Sequence, residues 1–497
     1  MRNACADRRC LESHRRASDR LEGLLSILEA TSAGIRGLGE RLRSCGYDRD
    51  LRTDPIARID LLETSATSDG LSALAIAMFT RGEPVEFGEA VAHLGGACIK
   101  ALVRCGMAVR DDGMIRPLAR VVSFEGLLVA GDLPDARGDP GYVAPISGTT
   151  RLLATCSLRR PVAHAVDLGC GTGVLALQLA AHAQHVTAVD INPRAIMFTR
   201  INAALNGFTN IAAREGSLLE PLEGQHVDLV VGNLPFVMSP EQRYLYRDGD
   251  RPTEALVQEA IDAAARHLTT AGVAQLLCNW TSDDSDPSVG PQLLTAGTGC
   301  DVLAIEYARR SPTAHARHWL ADSHRGSNSN LDEAIERWVK WFETRSIRTI
   351  SFGSLTLRRP ADRPGRFRHL SASSAATNRG GQQIERILKS IDDPDALNDH
   401  ALRPALVAHH LIQTLSHDGS SYAATPATLV PIDSAGITLT VPPDAAPLLF
   451  EINGEIPIAA LTIDAPFGAT TLSDLWRHGL LNIEQPDSTH HCDRHPN

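Results

Sequence analysis

Residues 228–238 read DLVVGNLPFVM, and residues 165–174 read AVDLGCGTGV. The first is an apolar strand that ends on an amide side chain, Asn233, set beside a proline and an aromatic ring. A side-chain carbonyl next to a main-chain carbonyl offers two acceptors. Together they can take both hydrogens of a planar NH2 and aim its nitrogen lone pair at an electrophile. The second stretch is a glycine loop between a strand and a helix. Gly169, Gly171 and Gly173 allow a tight turn and close approach to a ligand. The helix behind them presents unpaired N–H groups.

The glycines do not follow the dinucleotide spacing G-x-G-x-x-G, because the third position is Val174. Asp167 precedes the loop, a poor neighbour for a pyrophosphate and a good one for a cation. The next strand, HVTAVD, ends on Asp190. An acid there can take both hydroxyls of an adenosine ribose. A cofactor with an adenosine, a positive centre and no phosphate satisfies both features, and that cofactor is S-adenosylmethionine (SAM). Its candidate contacts are Asp167, Gly169, Cys170, Gly171, Gly173, Asp190 and Ile191.

DLGCGTG, VDINP and GNLPF resemble the motifs of class I (Rossmann-like) SAM-dependent methyltransferases, over roughly residues 141–358. More narrowly the chain is similar to the branch whose fourth strand ends N-P-P-Y/F. That branch includes glutamine, guanine-N2 and adenine-N6 methyltransferases. The resemblance implies that Asn233 and the Leu234 carbonyl are the acceptors for the substrate NH2, with Asn233 also beside the cofactor. It implies that Pro235 stiffens the turn and that Phe236 stacks on a planar substrate. Leu234 replaces the first proline of the motif, which removes a φ constraint and keeps the carbonyl. Ser217 and Leu218 match the adenine-contacting position, and YVAPISGTT (142–150) matches a segment lying against cofactor and substrate. Tyr244, Tyr246 and Arg247, just past GNLPF, are candidate substrate contacts on a closing loop. Asn192 reads as a helix N-cap. YLYRDGD and WVKWFE, with extensions at both ends, look like a bacterial methyltransferase group that has no assigned acceptor.

The elements that must hold these residues alternate strand and helix from 141 to 360, as in a parallel sheet with crossover helices. The expected fold is α/β, a Rossmann-like sheet of seven strands flanked by two smaller domains. Residues 1–20 read as disordered. Residues 21–135 carry three short helices, then two or three strands around a DDG turn, the order of a winged helix. A packing or substrate-covering role is favoured there over groove binding, since the third helix offers phosphates only Lys100 and Arg104. AGDLPDARGDPG (130–141) and residues 361–382 read as linkers. Residues 383–490 read as a small α+β domain, with helices at IERILKSI and ALRPALVAHHLIQTL.

With 497 residues the chain exceeds one ordinary core, and its net charge of −11 argues against a broad nucleic-acid footprint. Ten scattered cysteines without a C-x-x-C pair, and no secretory signal, read as reduced thiols in a cytoplasmic protein. No window is apolar enough for a membrane span. The tail residues His490, His491, Cys492 and His495 read as a polar terminus, and no metal is expected.

These features imply methylation of a planar amide, amine or base nitrogen, leaning to a small-molecule or peptide acceptor. Ribosomal RNA and a protein glutamine are the alternatives, as is a non-enzymatic winged-helix regulator that senses SAM. Transfer to oxygen or carbon needs a general base, and no His or Glu in 233–250 is poised for it.

Overall fold

The computed structural model describes residues 31–45, 47, 70–139, 141–241, 253–282, 285–321, 329–377, 379–417, 420–463 and 468–484. Tyr244, Tyr246 and Arg247, the first 20 residues and the His-rich tail all lie outside these residues. The chain divides into two compact units, Met1–Arg151 with Pro161–His267 and Leu152–Arg160 with Leu268–Asn497.

The first unit opens with a helix over 31–44, then Gly70–Ala75 running into a π-helical turn, Ile76–Arg81, which Gly82 ends at φ 72°. Helices Phe87–Leu94 and Gly96–Arg104 follow. Two antiparallel hairpins come next, with strands Ala108–Asp111, Met114–Pro117, Ala119–Phe124 and Leu127–Asp132. There are thus four strands where two or three were expected. Their tight turns are Asp112-Gly113 and Glu125-Gly126, all four residues at positive φ, as two-residue hairpin turns require.

The sheet of the first unit has β1 (Val162–Leu168), β2 (Ala183–Asp190), β3 (Ile211–Glu215) and β4 (Val227–Gly232), all parallel, in the order β4-β1-β2-β3. The strands are short apolar runs because both faces of a parallel sheet are covered. Register places Leu168 beside Val189 and Gly232, so the glycine loop, Asp190 and Asn233 emerge together at the carboxyl edge. Helices α1 (Val174–Ala180) and α2 (Pro193–Asn206) cross over between strands. Asn192 caps α2, its side chain accepting Arg194 N–H at 3.0 Å, with Pro193 following.

Helix α2 is apolar on more than one face for a physical reason. Its Ala195, Phe198, Ile201 and Leu205 pack in one cluster with Leu38, Leu42, Phe79, Leu94 and Leu102 of the N-terminal helices. The N-terminal segment therefore completes a core that the parallel sheet leaves unfinished.

The second unit contributes β5 (Leu268–Thr281), β6 (Asp301–Arg310), β7 (Ile350–Arg358) and β8 (Phe367–Ser371), in the order β8-β6-β7-β5. β7 is antiparallel to both β5 and β6, while β8 is parallel to β6. The two sets make eight strands of a mixed α/β fold, one more than the seven expected. The extra strand is FRHLS, inside the stretch read as a linker, where Arg366, Arg368 and His369 hid a sheet edge behind charge. Helix Pro312–Leu320 was also not anticipated.

Beyond helix Gly380–Asp392, the expected helix over ALRPALVAHHLIQTL is absent. Strands Arg403–Leu406, His409–Ile412 and Leu415–His417 occupy that stretch. Pro404 cannot sit inside a helix, and every second residue of HHLI is exposed, which is the period of a strand. A separate apolar cluster, including Leu429, Leu461, Leu472, Leu475 and Trp476, supports this module.

Candidate active site

The loop after β1 is built for glycine. Gly169, Gly171 and Gly173 have φ of 70°, 54° and 75°. A Cβ on Gly173 would meet Thr199 Cγ2 at 2.7 Å, and one on Gly169 would meet Leu234 Cδ2 at 2.9 Å. A Cβ on Gly171 would meet nothing within 4 Å, so that side of the loop borders open space. Leu234, the departure from the family motif, therefore lays its side chain against the Gly169 turn.

Asp167 is fully buried. One carboxylate oxygen accepts Ala176 N–H of α1 at 2.8 Å, and the other has no partner among the described residues. Burial pushes its carboxyl up to about 7; the Ala176 amide opposes this and the nearby Asp190 adds to it. Asp190 accepts Gly171 N–H and Asn192 N–H, each at 2.9 Å, and burial raises it as well. Two acids thus face a glycine loop with a buried carboxylate oxygen unsatisfied. That donor set suits a cation and hydroxyl groups, and it repels phosphate, so the site fits SAM. The Cys170 thiol is buried against Thr199 Oγ1 at 3.3 Å and pushed far up by burial, so only its backbone faces the loop's open side. Ile191 is 38% exposed beside Asp190. Leu218 sits at φ 50°, a strained position for a leucine, next to Ser217.

Asn233 is half-buried just past β4. Its Nδ2 donates to Thr150 Oγ1 at 2.9 Å and Thr149 Oγ1 at 3.2 Å. Both threonines lie in the first turn of helix Gly148–Cys156. Ser147 ties them down, its Oγ accepting Thr150 N–H at 3.0 Å and sharing hydrogen bonds with both hydroxyls at 2.8 and 2.9 Å. No described group donates to Asn233 Oδ1, so the amide presents its acceptor away from the hydroxyls. Leu234 and Pro235 are half-buried, and Phe236 is only 4% exposed, a ring set into the wall.

Several contributors were not singled out from sequence. Thr149 and Thr150 fall within the segment flagged as lying near the site, but their bond to Asn233 spans 84 and 83 residues. Asn202, inside α2, accepts Ala130 N–H at 2.7 Å and donates to Ala130 O at 2.9 Å and to Thr172 O at 2.8 Å. It ties the second hairpin to the glycine loop. Thr172 Oγ1 in turn donates to Pro145 O at 2.7 Å. A polar residue in an apolar helix was the available signal.

A parallel sheet with a glycine loop after its first strand and acids at the ends of the first two is the arrangement of a class I methyltransferase. Residues 145–287 match the family described as the methyltransferase small domain. Among curated proteins, the chain is 30% identical over 171 residues to ribosomal RNA small subunit methyltransferase C of Cronobacter sakazakii, covering 34% of this chain and 41% of that one. It is 37% identical over 101 residues to the release factor glutamine methyltransferase of Geobacter sulfurreducens, covering 20% and 35%. It is 30% identical over 145 residues to ribosomal protein L11 methyltransferase of Clostridium botulinum, covering 27% and 46%. The chain thus spans less than half the length of each of these relatives. No helix among the described residues is long and apolar enough to cross a membrane.

Proposed function

We propose that this protein transfers the methyl group of SAM to a planar nitrogen, an amide or a base, on a macromolecule. The observation that carries this reading is the Asn233 amide, held through Nδ2 by Thr149 and Thr150 with no described donor to Oδ1, at the same carboxyl edge as a glycine loop suited to SAM. SAM supplies an electrophilic methyl on a sulfonium centre. The residues do the rest by position. Asp167 offers its unsatisfied oxygen to the cationic part, and Asp190 its remaining lone pairs to the ribose hydroxyls. Ile191, Ser217 and Leu218 border the adenine, and Gly169, Cys170, Gly171 and Gly173 give room and amides. Asn233 Oδ1 and the Leu234 carbonyl accept the two hydrogens of the acceptor NH2. That fixes its lone pair and favours the pyramidal transition state. Pro235 stiffens the turn and Phe236 forms the wall against the flat acceptor.

The macromolecular acceptor is supported by the relatives, whose names specify ribosomal RNA, a release factor glutamine and a ribosomal protein. None of them supports the small-molecule leaning that composition suggested. The N-terminal helices share a core with α2, which supports the packing role for residues 21–135.

The test is transfer of tritiated methyl from labelled SAM into lysate separated into RNA, protein and small-molecule fractions, with Asn233→Ala as control. Label in RNA or protein, lost at least a hundredfold in the variant while its SAM affinity stays within about twofold, is the expected result. Label only in the small-molecule fraction would overturn the macromolecular acceptor. Full activity in Asn233→Ala would falsify the nitrogen clamp. SAM binding without transfer to any fraction would favour the SAM-sensing regulator.

A further inference from the structure

In the second unit, a cavity of about 380 Å³ is lined by Arg366, Arg368 and Arg477, with Ser288, Phe367 and His369. Among the described residues no Asp or Glu lines it. The acids close by in the network are committed elsewhere. Asp301 binds Arg358 and Arg363, both at 2.6 Å, and Asp392 binds Arg363 at 2.7 Å and Arg358 at 3.2 Å. Glu306 holds Arg309 at 2.8 Å and His369 at 3.4 Å. Burial raises the Glu306 carboxyl, but His369, Arg309 and Ser351 outweigh it and hold it at about 2.

Arg368 lies in β8 and Arg366 directly precedes the strand, and both side chains line the cavity. Arg366 Nη1 donates to the carbonyls of Ile391 and Asp392 at 2.7 and 2.6 Å. Arg368 donates to Ser390 Oγ, to Ser390 O at 3.4 Å and to Arg477 O at 3.0 Å. The carbonyls of Ser390, Ile391 and Asp392 are the last of helix Gly380–Asp392, and that of Arg477 is the last of helix Gly468–Arg477, where cations are favoured. The bonds pin both guanidiniums and leave donors over, since each carries five N–H groups. Arg477 ends helix Gly468–Arg477, and no described acid pairs with its side chain. Burial, with Arg477 repelling it, pulls Arg368 down to about 10, the response of a cation that has no counter-charge. Capping of helix carbonyls accounts for Arg366 and Arg368. It does not account for a third arginine at the same acid-free cavity.

We propose that this cavity binds a phosphate group between Arg366, Arg368 and Arg477. Planar guanidinium forks match phosphate oxygens in pairs, and three forks supply more donors than a single carboxylate can accept. Phe367 gives the cavity an apolar wall beside that anion, room for more than bare phosphate. The site is independent of the methyl-transfer reading and is measured without SAM.

The test is calorimetric titration of the full chain at low salt with inorganic phosphate, uridine 5′-monophosphate and a short oligouridylate. The expected result is binding of at least one, weakened about tenfold or more by Arg477→Gln and by Arg368→Gln. Arg477→Gln should leave the melting temperature unchanged, so it decides the matter if Arg368→Gln fails to fold. Binding of the oligouridylate alone identifies a nucleic-acid backbone as the phosphate source; binding of phosphate or the mononucleotide identifies a small ligand. Absence of binding by all three at millimolar concentration would overturn the proposal. So would binding that both variants leave unchanged.

Discussion

Asn233 and Asp167 show how much the proposed chemistry depends on single polar atoms. The Asn233 amide serves the proposed clamp only if Oδ1 is left for the acceptor, and two threonine hydroxyls take its Nδ2 instead. Thr150→Val removes the shorter of those bonds without changing side-chain shape, and turnover should fall about tenfold. Thr150→Ser should recover most of it. A purely structural role for Thr150 would lower the melting temperature of both variants without separating them in kcat, and steady-state kinetics with thermal melts distinguish the two. Asp167 makes a pH-dependent prediction. Its folded value is raised to about 7, so the fold favours the neutral acid. The stability this confers is complete below the ordinary carboxylate range and is lost as pH rises through about 7. A bound cation reverses the preference, because it favours the carboxylate. SAM affinity should therefore rise from pH 5.5 to 8, by up to about tenfold per unit below 7, with a proton released on binding. Calorimetry in buffers of different ionisation heat measures that proton. Asp167→Asn should flatten the profile and weaken binding, and an unaltered profile in that variant removes Asp167 from the site.

Elements place these atoms, and here Asn202 is the informative residue. Its side chain makes three hydrogen bonds, joining α2 to strand Leu127–Asp132 and to Thr172 of the glycine loop. Asn202→Leu keeps the volume and strands three buried backbone groups, at a cost of about 1–3 kcal/mol for each one left unsatisfied. The expected outcome is a melting temperature lower by several degrees, with SAM affinity reduced because the loop loses its anchor. Equal affinity at matched temperature would show that the loop holds its shape without it. The strand–loop–helix order and the glycine spacing were legible in sequence because each is set by local backbone demands. Positive φ at Gly169, Gly171 and Gly173 is such a demand. What sequence did not reveal is long-range or masked by charge. The Thr150–Asn233 bond bridges 83 residues, β8 carries Arg368 and His369 in place of an apolar run, and strand His409–Ile412 borrowed a helical look from Ala401–Ala405. Helix propensity lost there to Pro404 and to sheet pairing with Ala427–Pro431.

For the whole molecule, the question is whether the parallel sheet can stand without what precedes it. Helix α2 carries Phe198, Ile201 and Leu205, each 1% exposed or less, into a cluster with Leu38, Leu42, Phe79, Leu94 and Leu102. Strand Leu127–Asp132 adds Leu128 and Ala130 to the same cluster, and the buried Asp132 binds Arg194 of α2 through both carboxylate oxygens at 2.9 and 3.0 Å. Burying one such apolar side chain contributes about 1.5–3 kcal/mol, so exposing three costs on the order of a domain's whole net stability. A chain beginning at residue 141 should accordingly be insoluble or lack cooperative melting, and it should not bind SAM. Soluble yield, thermal unfolding by circular dichroism and calorimetry with SAM measure this. A truncated chain that melts cooperatively and binds SAM like the full one would make the N-terminal segment a dispensable module, returning it to a docking role. Failure of the truncation, with recovery when Phe198, Ile201 and Leu205 are replaced by polar residues, would show that the helices serve the site by covering α2.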